Sequence, residues 1–324
     1  MTWHVLTRIV LATICCVALS PVAVVVQAKA PAGAVSSRAI APVDAQSNDG
    51  DPSIGTVEPA AAPIGWMASA TPRDASVLAA TIQQLISASG ASAGVSVVEL
   101  GGSEPLTLSV NGPAVFGAAS TYKLAALMLE AQNIAAGTTD PNGDVCFQPD
   151  DYETGWFEDY GDSVCLSRHE LAMRAGRYSD NTAGHMLVRD VGGVDALNAW
   201  AASHGAANSA FFVGNTTTSA DLAALWVAEA EGQLGGAAAQ AWLYPFLTGT
   251  RTESGIPAGV PGVTVVHKTG TVDAVDNDAA LVTAGPAGAY VLTVMTDGLG
   301  GGDGWQLIAG ISAAVRQFEA FRTS

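Results

Sequence analysis

A serine and a lysine three residues apart have the types and the spacing needed for nucleophilic chemistry. Ser120, Thr121, Tyr122 and Lys123 precede an apolar run that predicts a helix beginning at Ser120. Because residues three apart share a helix face, the Lys123 amine can reach the Ser120 hydroxyl. An amine desolvated in a core has a pKa low enough to remove the serine proton. The alternative interpretation is a helix N-cap beside a solvated lysine.

Lysine is scarce in this chain, which makes the position of each lysine informative. Of the 13 basic residues, only Lys29, Lys123 and Lys268 are lysines. Lys268, Thr269 and Gly270 follow a predicted strand, and Ser179, Asp180 and Asn181 stand where a predicted loop meets a helix. An ordinary surface lysine is therefore a poor explanation of either Lys123 or Lys268.

These three motifs have the order and setting of the motif set of the serine β-lactamases. Over residues 74–322 the sequence resembles the class A β-lactamase and penicillin-recognising serine enzyme family. Further similar segments are Asn181-Thr182-Ala183 with Gly192-Gly193, residues 255–259, and residues 276–278.

The resemblance implies a catalytic role for four residues. Ser120 would be acylated and Lys123 would be its base. Ser179 would relay a proton to the leaving nitrogen, and Asn181 would hold the substrate amide. The implied reaction is therefore acyl transfer through a covalent intermediate on Ser120.

The resemblance also implies how a substrate would be bound. Lys268 and Thr269 would bind its carboxylate, and the backbone N–H groups of Ser120 and Thr271 would form the oxyanion hole. Arg251 matches a position where some family members have a carboxylate-binding arginine. A surface salt bridge is the alternative interpretation of Arg251.

The sequence departs from the family pattern where class A enzymes carry the glutamate that activates the deacylating water. Residues 205–215 contain neither Asp nor Glu. The nearest acid, Asp221, is expected to stabilise the first turn of the next helix, where the helix dipole favours negative charge. We therefore expect acylation to be efficient and deacylation to be slow.

Neither a metal nor a cofactor is expected. His169, His185 and His204 lack a second ligand at metal-binding spacing. His267, beside Lys268, is expected to pack against the strand or cap it. The glycine-rich residues 298–302 lack the lysine of a phosphate-binding loop.

The order of predicted elements indicates how these residues are positioned. Alternation of apolar residues predicts strands, and apolar residues spaced three and four apart predict helices. Helices are expected at 74–89, 182–191, 194–204, 219–231 and 305–321, and strands at 93–100, 106–110, 263–267, 279–284 and 290–296. A serine at 167 three residues before Glu170 predicts a capping box. The expected fold is α/β, of the α+β type: a five-stranded antiparallel sheet flanked by the N- and C-terminal helices, with an all-helical subdomain inserted.

Composition and charge exclude several classes of protein. The 324 residues are 49% hydrophobic and 13% charged, which is sufficient for a large core. A formal charge of −17 argues against binding to nucleic acid or to an anionic membrane surface.

The N-terminal region predicts export from the cytoplasm. Residues 9–28 carry no charge, so residues 1–30 form either a cleaved signal peptide or an uncleaved membrane anchor. Residues 31–73, rich in Ala, Pro, Ser, Gly and Asp, predict a flexible linker. The folded domain is therefore expected at 74–324. Its location would be the periplasm or cell envelope, or the protein would be secreted.

Cys146 and Cys165 are expected to form a disulfide, because thiols oxidise outside the cytoplasm. The alternative is two unpaired cysteines.

The sequence favours an exported, monomeric serine hydrolase that forms an acyl-enzyme on Ser120 with β-lactams or related amides. Two alternatives remain open. One is a D,D-carboxypeptidase or amidase acting on cell-wall peptides, and the other is a protein that captures β-lactams or wall peptides with little turnover.

Overall fold

The computed structural model describes residues 74–102 and 105–323. The predicted signal peptide or anchor at 1–30 and the predicted linker at 31–73 lie outside the described residues. Within the described ranges, no helix combines the length and the apolar character needed to cross a membrane.

The described residues begin with a helix and two strands and end with three strands and a helix, the order that the sequence patterns indicate. The helices are α1 (Ala75–Ser89), α2 (Tyr122–Ala135), α3 (Arg168–Arg177), α4 (Asn181–Asp190), α5 (Gly193–Ser203), α6 (Ser219–Ala230), α7 (Gly236–Leu243), α8 (Ile256–Gly259) and α9 (Gly302–Thr323). The strands are β1 (Ser92–Glu99), β2 (Thr107–Val110), β3 (Val115–Gly117), β4 (Asp144–Cys146), β5 (Cys165–Ser167), β6 (Thr216–Thr218), β7 (Val265–Val272), β8 (Val275–Gly285) and β9 (Gly288–Asp297).

The main sheet has five strands in the order β2-β1-β9-β8-β7, and all its neighbours are antiparallel. This confirms the predicted fold class. The last three strands are longer than predicted, because β7 continues through Lys268 to Val272 and pairs with β8 along its whole length. Lys268 and Thr269 therefore lie within a sheet strand rather than after one.

Both faces of the sheet are covered, and side-chain alternation along β9 shows how. Leu292 and Val294 pack with α1 and α9, whereas Val291 and Met295 pack with the helical subdomain. Successive residues of a strand point to opposite faces, so one strand supplies both cores. The two terminal helices cover one face as predicted, and the inserted helices cover the other.

Helix α2 lies in the middle of the helical subdomain and directly follows the turn that holds Ser120. Every residue from Tyr122 to Ala131 is buried, and α3, α4, α5 and α7 pack around the helix. It begins at Tyr122, two residues later than predicted, because Ala119–Thr121 forms a 3₁₀ turn. Ser120 lies inside this turn and caps no helix, so the N-cap interpretation is wrong.

Short elements account for most of what the sequence patterns missed. Strand β3 pairs with β6, and β4 pairs with β5, in two ribbons of three residues per strand. Three residues are too few for alternation to be distinguished from chance. One half of the predicted capping box is present at α3, where the Ser167 hydroxyl accepts a hydrogen bond from the Glu170 N–H at 3.1 Å, while the Glu170 carboxylate accepts from Arg174.

The predicted disulfide joins Cys146 to Cys165, which confirms the pairing. These residues face each other in the β4–β5 ribbon, so the bond closes the base of the segment between them. That segment carries Glu153 and Trp156, whose positions matter at the site described below.

Replacing both cysteines with serine is expected to lower the free energy of unfolding by about 3 kcal/mol, the chain-entropy effect of a cross-link over a loop of this size. Denaturant unfolding of the double variant and of the parent protein measures the difference. Reducing the parent protein should produce the same loss, and equal stability with and without the bond would contradict the expectation.

Candidate active site

Ser120 and Lys123 are in direct contact. The Lys123 Nζ lies 2.9 Å from the Ser120 Oγ and also donates to the Ser179 carbonyl at 2.7 Å and the Asn181 Oδ1 at 2.8 Å. The Lys123 side chain is fully buried. Burial lowers its pKa to about 7, against the opposing charges of Asp180 and Glu153. Near neutral pH a substantial fraction of Lys123 is therefore a free amine able to accept the serine proton.

A glycine on α4 makes the burial of Lys123 possible. A Cβ at Gly184 would lie 2.5 Å from the Lys123 Cε and 2.8 Å from the Tyr122 hydroxyl. Real Cβ atoms do not approach other atoms this closely, so a larger residue at 184 would displace the lysine.

Left-handed backbone conformations occur on both sides of the reacting pair. Ala119 has φ of 46° and Ser179 has φ of 61°. Such conformations cost about 1–3 kcal/mol each for residues other than glycine and persist only where the surroundings impose them. At Ser179 the conformation directs the carbonyl to Lys123 and the hydroxyl to Lys268.

Asp180 supplies the interactions that impose the Ser179 conformation. Its fully buried carboxylate caps α4 by accepting from the Ala183 N–H at 2.9 Å. It also accepts from the Trp156 N–H at 2.8 Å, the Phe157 N–H at 3.2 Å and the Tyr160 hydroxyl at 2.6 Å. The segment closed by the disulfide is thus tied to the residue that follows Ser179.

Lys268 approaches the same point from the sheet. Its buried Nζ donates to the Ser179 Oγ and to the Thr269 carbonyl, both at 2.8 Å. Burial and the positive charge of Lys123 lower the pKa of Lys268 well below its usual range. Lys123, Ser179 and Lys268 thereby form a continuous hydrogen-bonded path from Ser120 to β7.

The sheet and the turn holding Ser120 approach each other closely at Gly270. A Cβ there would lie 2.7 Å from the Ala118 carbonyl oxygen and 3.0 Å from the Ser120 nitrogen. From β8, the Asn277 Nδ2 donates to the Gly117 carbonyl at 2.8 Å. Only a residue without a side chain fits at position 270.

A cavity of about 330 Å³ opens beside Ser120. Of the residues predicted from the motifs, those lining it are Ser120, Ser179, Asn181, Arg251, Thr269 and Thr271. Lys123 and Lys268 lie behind its wall, in contact with Ser120 and Ser179. The structure therefore brings all eight predicted site residues together.

Arg251 lies at this cavity with its guanidinium stacked on an aromatic ring. Its Cζ is 3.6 Å from the centroid of the Trp156 ring, which lines the same cavity. Within the described ranges this cation–π contact takes the place of the surface salt bridge considered above. Trp156 therefore belongs to the site, whereas its neighbour Phe157 packs on Arg174.

His267 supports Lys268 from the opposite face of β7. Its Nδ1 lies 2.9 Å from Asp278 and its Nε2 lies 3.1 Å from Glu253. Burial alone would lower the His267 pKa, but Asp278 and Glu253 together raise it to about 9. The imidazole is therefore protonated at neutral pH and holds the segment that carries Arg251. The expectation of simple packing at His267 missed this ion network.

Residues 205–215 form a short loop held by Asp221. The Asp221 carboxylate accepts from the Asn208 N–H and from the Ser209 hydroxyl, both at 2.8 Å. Asp221 lies in the first turn of α6 as predicted, but it also anchors the preceding loop. The loop directs Phe212 and Asn215 towards Ser120, and the Asn215 side chain donates to the Ala119 carbonyl at 3.0 Å.

A second cavity, of about 430 Å³, lies on the loop side of Ser120. Glu153 and His185 line it together with Ser120, Asn181 and Phe212. The sequence motifs did not identify Glu153 or place His185 in the site. The position of His185 one helical turn after Asn181 was a usable signal, because both residues share a face of α4.

No cluster of His, Cys, Asp and Glu among the described residues could hold a metal ion.

Comparison with known proteins identifies relatives of this arrangement. The family model described as "Beta-lactamase2: Beta-lactamase enzyme family" matches residues 77–318. A search of curated proteins found no match.

Three solved structures illustrate the similarity. A PBP-A variant, in an acyl-enzyme complex with penicillin G, is 28% identical over 75% of this chain and 96% of its own, with a TM-score of 0.69. A beta-lactamase from Sphaerobacter thermophilus is 28% identical over 76% of this chain and 97% of its own, with a TM-score of 0.68. An ancestral class A beta-lactamase is 25% identical over 74% of this chain and 99% of its own, with a TM-score of 0.65.

Replacing Asp180 with asparagine is expected to lower the free energy of unfolding by about 3 kcal/mol. One carboxylate oxygen would become an NH₂ group, and this donor would face the backbone N–H groups that the carboxylate now accepts from. Denaturant unfolding measures the loss. Asp162→Asn, on the exposed part of the same segment, is the control and should leave stability unchanged. Similar stability of the two variants would contradict the role assigned to Asp180.

Proposed function

The chain belongs to the beta-lactamase enzyme family, and from that membership we propose that it is an exported serine hydrolase forming an acyl-enzyme on Ser120 with β-lactams or related amides. The observation that carries the proposal is the contact between the Ser120 hydroxyl and a buried Lys123 amine whose pKa is about 7. A nucleophile in contact with a base that is partly free at neutral pH is the arrangement that acyl transfer requires.

In the acylation step, the Lys123 amine takes the Ser120 proton while the Ser120 Oγ attacks the amide carbonyl carbon. The backbone N–H groups of Ser120 and Thr271 stabilise the oxyanion that forms. The C–N bond then breaks, and the leaving nitrogen takes a proton from the Ser179 hydroxyl. Lys268, whose Nζ donates to the Ser179 Oγ at 2.8 Å, returns a proton to that oxygen and is reprotonated from solvent.

Positive charge and hydroxyl groups near the first cavity favour a substrate with a carboxylate. Lys268 lies behind its wall, and Arg251, Thr269 and Thr271 line it. In a chain of net charge −17, the Arg251 guanidinium supplies local positive charge that selects anions at this point. The similarity to a protein solved as its penicillin G acyl-enzyme supports β-lactams as one such class.

Slow deacylation follows from the composition of the loop at 205–215. It contains no acid, and it presents Phe212 and Asn215 to the cavity beside Ser120. Loss of a general base typically slows the step it serves by about 100- to 10,000-fold. The same observation favours the second candidate function, a protein that captures β-lactams or wall peptides with little turnover. A D,D-carboxypeptidase or amidase remains the alternative substrate assignment.

Export is also a proposal. The apolar residues 9–28 support a signal peptide or membrane anchor, and the Cys146–Cys165 bond supports an oxidising compartment. The expected location is the periplasm, the cell envelope or the exterior. The monomeric state stays a prediction.

Mixing the protein with benzylpenicillin should add the mass of one penicillin to it, and Ser120→Ala should remove the adduct while the fold remains intact. Intact-protein mass spectrometry over hours measures both. A persistent adduct indicates a capture protein and a transient one indicates a hydrolase. Ser87→Ala, on the exposed side of α1, is the control and should be labelled normally. Labelling of the Ser120→Ala protein would contradict the nucleophile assignment.

A chromogenic cephalosporin should give a burst of about one equivalent followed by a slow steady state, because acylation outpaces deacylation. The burst rate should rise with pH around 7, since the base is the deprotonated form of Lys123. Rapid-mixing absorbance measurements between pH 5 and 9 test both features. Fast turnover without a burst would show that deacylation is not limiting.

A further inference from the structure

The second cavity contains an acid and an imidazole that the acylation chemistry does not use. The His185 Nε2 lies 2.8 Å from the Glu153 Oε2, and both residues line the cavity with Ser120. Glu153 comes from the segment closed by the disulfide, and His185 comes from α4. Two distant segments thus place a hydrogen-bonded carboxylate and imidazole on the side of Ser120 where the loop supplies no acid.

Asn181 connects this couple to the reacting pair. Its Nδ2 donates to the Glu153 Oε1 at 3.0 Å, and its Oδ1 accepts from the Lys123 Nζ at 2.8 Å. The Glu153 carboxylate is therefore separated from Lys123 by a single amide group. Each Glu153 oxygen has one protein partner here, which leaves each with lone pairs for a further hydrogen bond.

The surroundings of His185 keep its imidazole neutral and fixed. Burial lowers the His185 pKa below its usual value, Lys123 lowers it further, and Glu153 and Asp151 act in the opposite direction. The Phe212 ring meets the imidazole edge to face, with centroids 4.7 Å apart. A neutral His185 with its proton on Nε2 donates to Glu153 and fixes the orientation of the carboxylate.

Other carboxylates near Ser120 are already committed to structural contacts. Among the described residues that line either cavity, Glu153 is the only acid. Asp180 accepts four hydrogen bonds, Asp221 holds the loop, and Glu253 contacts His267. The Glu153 side chain, by contrast, is 53% exposed, so water reaches it directly.

We infer that Glu153 is the general base for hydrolysis of the acyl-enzyme and that His185 is its positioning residue. The inference rests on the proposed function and adds the identity of the base for deacylation, the slow second step of that reaction. In that step a water oxygen bonds to the ester carbonyl carbon as its proton passes to the Glu153 carboxylate. The bond from that carbon to the Ser120 Oγ then breaks, and the oxygen takes a proton from the protonated Lys123. Transfer of the proton from Glu153 to solvent restores the base.

The principal test compares Glu153→Gln with the parent protein. Glutamine keeps a carbonyl acceptor for Asn181 or His185 but cannot take a proton from water. We expect acylation by benzylpenicillin to change less than about 3-fold and decay of the adduct to slow by about 100-fold or more, the lower end of the effect of losing a general base. Intact-protein mass spectrometry after removal of free penicillin measures the decay.

Glu158→Gln is the matched control, because Glu158 is an exposed carboxylate of the same segment that lines neither cavity. It should leave both acylation and decay unchanged.

A second variant tests the positioning role independently. His185→Gln should slow decay while preserving acylation and the thermal midpoint, and the slowing should be smaller than in Glu153→Gln because the Glu153 carboxylate remains. A merely structural role of His185 would instead change the thermal midpoint or acylation. If Glu153→Gln fails to fold, slower decay in His185→Gln with parental acylation and thermal midpoint supports the inference, and parental decay overturns it.

The outcomes separate this inference from the proposed function. Absence of any adduct on the parent protein would overturn the proposed function itself. Normal acylation with parental decay in Glu153→Gln would overturn only the assignment of the base. Loss of acylation in a folded Glu153→Gln protein would also overturn that assignment. It would show that Glu153 acts by holding Asn181 in position for substrate binding instead.

Discussion

The enclosure of the Lys123 amine in the core is the constraint on which the rest of the site depends. An unpaired ammonium is costly to bury, but a neutral or partly neutral amine with three hydrogen-bonding partners is tolerated. Those partners, Ser120, Ser179 and Asn181, come from the turn before α2 and from the junction before α4. The same burial brings the Lys123 pKa close to neutrality, so the feature that costs stability also makes the residue a base. Gly184 leaves the space in which the side chain lies.

Keeping these partners in place requires strain that other contacts offset. Ser179 adopts a left-handed conformation, and the adjacent Asp180 accepts four hydrogen bonds that hold it there. Lys268 fixes the Ser179 hydroxyl from the sheet, and the ion network of His267 lies on the opposite face of the same strand. Ser179 therefore links the helical subdomain to the sheet at the site. This explains why a site built from short motifs needs both layers of the fold.

The two sides of Ser120 differ in chemistry. On one side, hydroxyl groups and Arg251 line a cavity suited to binding an anionic substrate. On the other side, the loop at 205–215 contributes the Phe212 ring and the Asn215 amide to the second cavity. Glu153 also lines this cavity, beside His185. Formation and hydrolysis of an acyl-enzyme place different demands on an active site, since only hydrolysis needs a base next to water. A protein can therefore retain acylation while the rate of deacylation varies with the residues that line one cavity.

The sequence by itself determined which residue types stand at a spacing suited to nucleophilic chemistry and which kinds of element carry them, because helical spacing and strand alternation are local properties of the chain. The approach of Lys123 to Ser120 follows from three residues of helix-like backbone, and the absence of an acid at 205–215 is visible without coordinates. Only the tertiary structure revealed that Glu153 lies beside His185 and that Asp221 holds the preceding loop. The residues in these contacts are not related by helical or strand periodicity. The contacts therefore depend on how the helices, strands and loops pack together. Packing also decided the pKa of Lys123, since desolvation depends on every element around the side chain and not on its neighbours in sequence.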